Sequence, residues 1–407
     1  MKRIAIKNIC EVYDGPHATP KKTETGPVYL GIDAITEDGM LDSSQFSYLS
    51  KEDYIKWTKR VVPQENDIVF SYEATLGKYA LIPRGFYGCL GRRLAIIRVI
   101  SEEIDAKWLY YYFRSPEWNA FIKNQTVKGS TVDRISVEEF PNYTIPVISL
   151  KNQKKMVAVL EKIDAKIRTN NKINDYLEET AKTIYDYWFI QFDFPGENGK
   201  PYKSSGGKMS FCNELNREIP QNWNYTSIGN ITICLDSERI PLSNQQREGM
   251  KGSIPYYGAT GIMDYVNRPI FSGNFVLLAE DGSVMDDNGN PILQRVSGDV
   301  WINNHTHVLQ PVKGYSCRLL YLLLKDIPVS IIKTGSIQMK INQANLNNYN
   351  ILSIPDAIRT QFINCVEPLD TKIMQIQQEN NNLIQFRDWL LPMLMNGQAT
   401  IEDCCDK

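Results

Sequence analysis

Histidine is scarce: only His17, His305 and His307 occur in 407 residues, which leaves a zinc-dependent or triad mechanism few parts to work with. Cysteine occurs at 10, 89, 212, 234, 317, 365, 404 and 405 with no CxxC pair and no regular spacing. Scattered thiols of this kind fit a reducing compartment better than a disulfide framework or a zinc site. An excess of one charge is lacking too. Forty-five Lys+Arg stand against 47 Asp+Glu, so no global positive field argues for nucleic acid, and DNA binding would need local patches. No apolar run reaches the roughly 18 residues that span a bilayer; the best, LLYLLLKDIPVSII, is broken by Lys325, Asp326 and Pro328. The opening MKRIAIKNICEVYDG has too short an apolar stretch for a signal peptide. A cytoplasmic protein with no membrane partner is expected.

Catalytic signatures are missing as well. There is no GxxxxGK[ST] phosphate loop, since SGGKMS lacks the upstream Gly and has Met after its Lys, and no GxGxxG. His305 and His307 would share one side of a strand, but no third ligand is in sight, which favours a surface or DNA-edge feature over metal binding. Acidic-x-Lys pairs, a core element of many metal-dependent nucleases, occur as Asp164/Lys166 and Asp370/Lys372. Both lie in helical patterns, where residues two apart diverge around the axis and cannot converge on a metal. The Asn/Asp-Pro-Pro-aromatic motif of methyltransferases that act on base amino groups is absent. These absences point towards binding rather than bond-making.

What is present is a chain long enough for two to four domains, with 43% hydrophobic and 23% charged residues, as in folded globular proteins. The chain also repeats itself. A shift of 206 residues lays Gly129 on Gly335, Ser130 on Ser336, Ile135 on Ile341, Asn142 on Asn348, Tyr143 on Tyr349 and Ile145 on Ile351 without a gap, and DAKI at 164 on DTKI at 370. Downstream, Met156, Leu160, Ile163, Ile167, Asn170, Asn174, Leu177, Ala181, Ile184 and Trp188 recur at alternating steps of four and three, a heptad seam. The same shift gives Phe362, Val366, Leu369, Ile373, Ile376, Asn380, Leu383, Arg387, Leu390 and Leu394. Two long helices are expected, each about 50 Å for roughly 33 residues, more than one globular layer needs, so they act as spacers.

Asn174 and Asn380 occupy equivalent seam positions, where polar residues fix register, and such a pair can hydrogen-bond. Residues 150–190 carry eight basic and six acidic side chains and residues 356–396 three and five, which modestly favours pairing of the two helices. Pro141 and Pro146 precede the first helix, which runs out near Phe189; Pro355 and Asp356 open the second, and Gly397 follows it. Pro392 is expected to bend the last turn, leaving the place of Leu394 in the seam open. The stretch DFPGENGKPYKSSGGKMSFCNELNREIP reads as a linker. Short β-type runs separated by turn signals (DIVFSY, LAIIRVI, NFVLLAE, HTHVLQPV) indicate a compact α+β domain before each helix. The expected order is therefore a domain at 1–149, a helix at 150–190, a linker at 191–220, a domain at 221–354, a helix at 355–397 and a tail at 398–407.

Arranged in this order, the pieces resemble the specificity subunit of Type I restriction–modification systems over residues 1–397. The second domain's IPYYGATGIMDYVNRPIFSGNFVLLAEDG is similar to the opening of that family's recognition domains. YLGIDAITEDGML and NDIVFSYEATLGKYALIP are similar to the corresponding segments of the first, and KGSTVDRI and TGSIQMKI to the turn and helix that close each domain. The resemblance implies a fold with two α/β target-recognition domains in tandem, each followed by a long helix, the two helices packing as an antiparallel coiled coil. It implies a non-catalytic subunit in which each domain reads one half of a split double-stranded DNA target and the helices act as a ruler. Two methyltransferase (modification) subunits and a restriction/translocase subunit are the implied partners. S-adenosylmethionine, ATP and Mg²⁺ would then belong to those partners, with no cofactor and no metal in this chain.

Reading DNA needs donors at base edges and cations at phosphates, on elements whose backbone can come close. Gly129 and Gly335 allow such approach. Around them lie Lys128, Ser130, Thr131 and Arg134 in the first domain, and Lys333, Thr334, Ser336, Gln338 and Lys340 in the second. Further candidates are Lys78, Arg92 and Arg93 in the first domain and Tyr257, Asn303, Asn304 and His305 in the second. Helix pairing falls to Leu160, Ile163, Ile167, Asn174 and Leu177 against Val366, Leu369, Ile373, Asn380 and Leu383. The alternative is a coiled-coil scaffold carrying two protein- or glycan-binding domains; an enzyme acting alone is a third reading.

Overall fold

The computed structural model describes residues 2–36, 38–128, 133–196, 198–335, 339–396 and 398–399. They fall into two compact units, Met1–Thr169 with Asn380–Lys407, and Asn170–Glu379. The division passes through both long helices, Leu150–Tyr185 and Asp356–Met395, so each unit holds one head and a stretch of each helix.

In the first head, β1 (Lys2–Ala5) is the antiparallel partner of a strand from the far end of the head, at 144–147. The chain continues through β2 (Cys10–Asp14), β3 (Thr23–Leu30), β4 (Ser47–Tyr48), β5 (Ile68–Ser71), β6 (Tyr79–Leu81), β7 (Gly88–Leu90) and β8 (Leu94–Val99) to β9 (Thr144–Val147), that partner. One sheet has the order β2-β8-β5-β6 and a smaller one the order β4-β3-β7, with β3 and β7 parallel. Helices Ala106–Phe113 and Pro116–Gln125 are capped by Asp105 and Ser115, whose side chains accept from backbone N–H groups of the first turn. Their aromatic residues pack the sheet: Phe113 meets Trp118 at 4.7 Å and Phe70 meets Phe140 at 4.7 Å. The Trp118 indole, buried with them, donates to the Tyr79 hydroxyl at 2.7 Å.

The second head opens with the hairpin β10 (Met209–Cys212) and β11 (Arg217–Pro220). Then come β12 (Asn224–Ser227), β13 (Thr232–Cys234), β14 (Lys251–Gly258), β15 (Gly261–Val266), β16 (Phe271–Ala279), β17 (Leu293–Ile302) and β18 (Thr306–Pro311). The head closes with β19 (Lys333–Thr334), β20 (Lys340–Ile341) and β21 (Asn350–Ser353). The main sheet has the order β13-β18-β16-β17-β14-β15, with β14 and β17 parallel.

The internal repeat is structural. β12 pairs with β21 as β1 pairs with β9, and the shift of 206 carries β9 onto β21 residue for residue and the start of the first long helix, Leu150, onto that of the second, Asp356. The β2–β8–β5 array matches β13–β18–β16: Cys10 faces Val99 as Thr232 faces Pro311. Each head thus uses the same three-strand frame and the same two-strand clasp.

Within each unit the helix stretches run antiparallel. In the first unit Arg387 donates to Asp164 at 2.9 Å, while Met156, Val157 and Leu160 share a buried cluster with Leu391, Leu394 and Met395. In the second, Asn170 donates to Glu379 at 2.8 Å and, farther along, the Phe362 ring meets Tyr185, Trp188 and Phe189 at 6.2, 5.6 and 4.8 Å. Of the expected pairing residues, Leu160, Ile163, Ile167, Val366, Ile373 and Asn380 are buried, and Asn174, Leu177, Leu369 and Leu383 are half-buried. Asn174 leaves its Oδ1 buried without a partner among the described residues; one polar seam contact in this stretch joins Asn170 and Glu379.

Three features depart from the sequence reading. The stretch read as a linker is folded: Phe192, Phe194, Cys212 and Ile219 are buried in the second head's core, because its aromatic residues outweigh its Gly and Ser content. The second long helix runs through Pro368 as well as Pro392. Pro368 is exposed while Val366 and Asp370 beside it are buried, so the missing N–H falls on the solvent side. Asn396 N still donates to Pro392 O at 3.0 Å, and Leu394 is buried, a member of the seam.

Head and seam form one core in each unit. Phe362, fully buried, is where three rings from the first helix converge. Phe362→Ala is expected to cost about 3–5 kcal/mol, read as a lower urea midpoint with an unchanged slope.

Candidate nucleic-acid interface

Near its end each head carries a short hairpin, separated from the clasp strand by a short helical segment, Phe140–Asn142 in the first and Gln343–Asn348 in the second. In the first head Val127 and Arg134 exchange backbone hydrogen bonds at 2.8 and 3.1 Å, and Ile135 N donates to Tyr72 O at 2.8 Å. In the second, Lys333 faces Ile341 and Thr334 faces Lys340, and Ile341 N donates to Glu280 O at 2.8 Å. Arg134 also bridges Glu73 and Lys340 bridges Asp281. Both hairpins are therefore sewn by the same bonds to the segment that leaves the central strand, β5 in one head and β16 in the other. The isoleucines equivalent under the repeat, Ile135 and Ile341, are buried under them and fix their depth.

In the first head the Arg93 side chain pairs with Glu73 at 3.1 Å, and the backbone of the same residue forms the β-bridge to Arg134. Arg93 has a left-handed backbone, φ 72°, and the exposed Arg92 donates its N–H to the Tyr29 hydroxyl at 3.0 Å. Lys128 and Arg134 are exposed. Lys78 lines a cleft of about 800 Å³ with Thr75, Arg114, Lys123, Thr126 and Arg387, a concentration of cations that composition could not reveal. Gly129, Ser130 and Thr131 lie outside the described residues.

In the second head Lys340 Nζ binds Glu280 at 2.8 Å and His305 Nδ1 lies 2.7 Å from Asp281. Arg239 reaches Glu280 and the carbonyls of Thr306 and Asn304 at 2.7, 2.7 and 3.3 Å. Lys340, Asn304 and His305 thus meet around one acidic pair. Burial pushes the Glu280 carboxyl up, but the Lys340 ammonium and the Arg239 guanidinium hold it below the usual range. Thr334 and Gly335 are exposed, Gly335 with φ +80°, a conformation suited to glycine. Lys333 is half-buried, and Ser336 and Gln338 lie outside the described residues.

Two candidates face inward. Asn303 is buried and spends its Oδ1 accepting from His305 N at 2.9 Å, while Tyr257, half-buried, takes the Asn303 N–H on its carbonyl at 3.0 Å. They shape the turn at 303–305 rather than present it. The histidine pair also departs from expectation. Strand β18 begins at Thr306, so His305 lies in the turn and is exposed, whereas His307 is 2% exposed. A third group is at hand after all: donor atoms of Cys234, Asp236 and His307 lie within 4.8 Å of one another.

Sequence reasoning missed Arg239, and it missed Glu73 and Glu280, the carboxylates that hold Arg93 and Lys340. It also missed how each head grips the helices. Asp164 and Asp370, equivalent under the repeat, both receive donors from their own head. Tyr111 donates to Asp164 at 2.6 Å; Arg295 pairs with Asp370, and Arg295 and the fully buried Arg318 reach Glu178 at 2.5 and 2.6 Å. Such charges are tolerated inside because they are paired.

Comparison with known proteins agrees with this architecture. The sequence profile of the Type I restriction modification DNA specificity domain matches twice, over residues 1–179 and 220–385. The MjaIX specificity subunit of a type I restriction enzyme from Methanocaldococcus jannaschii is 25% identical, covering 98% of this chain and 93% of its own. The EcoprrI specificity subunit from Escherichia coli is 24% identical over 85% of this chain and 82% of its own. Among solved structures, a type I restriction-modification S subunit from M. genitalium superposes with a TM-score of 0.51 at 16% identity, over 97% of this chain and 95% of that one, a likeness of fold. No helix among the described residues is long and apolar enough to cross a membrane. With both halves matched, the chain belongs to the family of type I restriction-modification DNA specificity domains and is a recognition component rather than a catalytic one.

Proposed function

We propose that this chain reads a bipartite DNA target, one half per head, and docks the modification and restriction subunits of a type I system. The observation that carries the reading is the repeated hairpin. At the same place in both heads, a short polar and cationic turn is fastened by the same backbone bonds to the central strand. A rigid base with a hydrogen-bonding tip is what base-edge reading needs. Lys128, Arg134, Lys333, Thr334 and Lys340 belong to these hairpins; Arg92, Arg93 and Lys78 supply cations beside the first, and Asn304 and His305 polar groups beside the second. The candidates Gly129, Ser130, Thr131, Ser336 and Gln338 lie outside the described residues and enter this reading by their sequence positions alone.

The near-balanced net charge fits a subunit whose partners share the phosphate contacts. S-adenosylmethionine, ATP and Mg²⁺ fall to those partners, and the pseudo-twofold repeat suits two methyltransferase subunits. The paired long helices set the distance between half-sites.

Replacing residues 1–149 with another recognition head should alter one half of the methylated sequence and leave the other, as read by methylation mapping of the assembled complex. A change in both halves, or no sequence preference at any salt concentration, refutes the bipartite reading and favours a scaffold. Inserting one heptad into each long helix should lengthen the gap between half-sites, and an unchanged gap counts against a ruler. Lys128→Ala should weaken binding to all sequences alike and reduce the slope of log K against log salt by about 0.9, measured by fluorescence anisotropy of the complex.

A further inference from the structure

We propose that Cys234, Asp236 and His307 bind one divalent transition-metal ion, of the zinc or cobalt class, at the foot of the second head's closing hairpin. A thiol sulfur, a carboxylate oxygen and an imidazole nitrogen are donors these ions accept together, and here they lie within 4.8 Å of one another. The sheet brings them there: β13 pairs antiparallel with β18, so Cys234 faces Leu309, and the chain leaving β13 carries Asp236 alongside His307.

The imidazole is oriented towards the other donors. His307 Nε2 lies 3.0 Å from the carbonyl oxygen of Ile341, which can only accept, so Nε2 carries the proton. Nδ1 lies 2.5 Å from Asp236 Oδ2 and 3.8 Å from Glu280 Oε2, which as carboxylates also only accept. Both ring nitrogens thus face acceptors in a place 2% exposed, so a proton lies between Nδ1 and Asp236 Oδ2, at the position a metal ion would take. A ring N–H tied to a backbone carbonyl, with the other nitrogen free to coordinate, is the usual arrangement of a metal-binding histidine. Tetrahedral bonds of 2.0–2.3 Å set neighbouring donors about 3.3–3.6 Å apart, so the Nδ1 to Oδ2 separation would open by about 1 Å on binding.

Neighbouring charges leave the three donors available. Arg239 is 3.5 Å from Asp236 Oδ2 but is also held by Glu280 and by the carbonyls of Asp236, Thr306 and Asn304. Lys340 is held by Glu280. The first head supplies an internal contrast: in the matching register of β2 and β8, the places of Cys234, Asp236 and His307 are taken by Val12, Asp14 and Ala95. The carboxylate is common to both heads, while the sulfur and nitrogen donors belong to the second.

Binding is proton-balanced. The ion displaces the Cys234 thiol proton and the proton otherwise required between His307 Nδ1 and Asp236, releasing two protons per ion, and no redox step is involved. Because His307 also holds Ile341 of the hairpin, the ion would fasten the base of the proposed reading element.

The test titrates chelator-stripped full-length chain with Co²⁺ alone. The expected result is one ion per chain, a thiolate-to-cobalt charge-transfer band and release of two protons in unbuffered solution. Cys234→Ser should abolish the band and weaken binding at least tenfold, whereas the double substitution Cys404→Ser and Cys405→Ser should leave both intact. X-ray absorption of the loaded wild-type chain, which needs no variant to fold, should show one sulfur at about 2.3 Å. No stoichiometric uptake, a band that survives Cys234→Ser, or a cobalt shell with no sulfur would each overturn the site.

Discussion

A helix carrying a heptad seam cannot bury it alone, and this constraint organises each unit. The seam of the first long helix is closed by the second running antiparallel, through apolar clusters at Leu160 with Leu391 and at Trp188 with Phe362. Charged and polar pairs such as Asp164 with Arg387 and Asn170 with Glu379 punctuate the stretch between them. Apolar seams tolerate slippage; paired polar residues do not, since a shift of one turn would strand a buried charge at a cost of several kcal/mol. Register is thereby fixed within each unit.

The heads are joined to this seam chemically as well as by contact. Equivalent aspartates, Asp164 and Asp370, leave their helices to meet Tyr111 in one head and Arg295 in the other. The aspartates of the acidic-x-Lys pairs, whose helical spacing already excluded a metal site, are thus clamps. Duplication explains why they share a position, and divergence of the heads explains why their head partners differ: a neutral phenol in the first unit, two buried guanidiniums shared with Glu178 in the second.

What the sequence made legible follows from how locally each feature is encoded. Heptad steps of three and four are written in neighbouring residues, so Leu160, Ile163, Val366 and Ile373 are identifiable as seam from the sequence alone. The repeat was equally open, because a gapless shift of 206 survives from Gly129 to Ile145 and again at DAKI. Interactions that close over long separations were hidden. Nothing near Asp164 announces Arg387, and nothing near Cys234 announces His307; both pairs exist only because strands or helices distant in sequence were brought side by side. Strand parity misled at His305 and His307 because β18 starts one residue after the first of them. Composition misled at 191–220, where a few large aromatic residues outweighed many small polar ones.

The contrast between the heads bears on how a duplicated scaffold acquires separate specificities. Backbone bonds that seat the hairpins are the same in both, from Ile135 to Tyr72 and from Ile341 to Glu280, so the frame is conserved internally while its side chains are free to change. The first hairpin rests on Glu73 with two arginines; the second rests on Glu280 and Asp281, ringed by Lys340, Arg239 and His305. A main-chain anchor imposes no demand on side-chain identity, and the tips can therefore diverge without unseating the hairpin. One stable frame presenting two independently variable turns is the physical arrangement that the proposed reading of two unlike half-sites calls for.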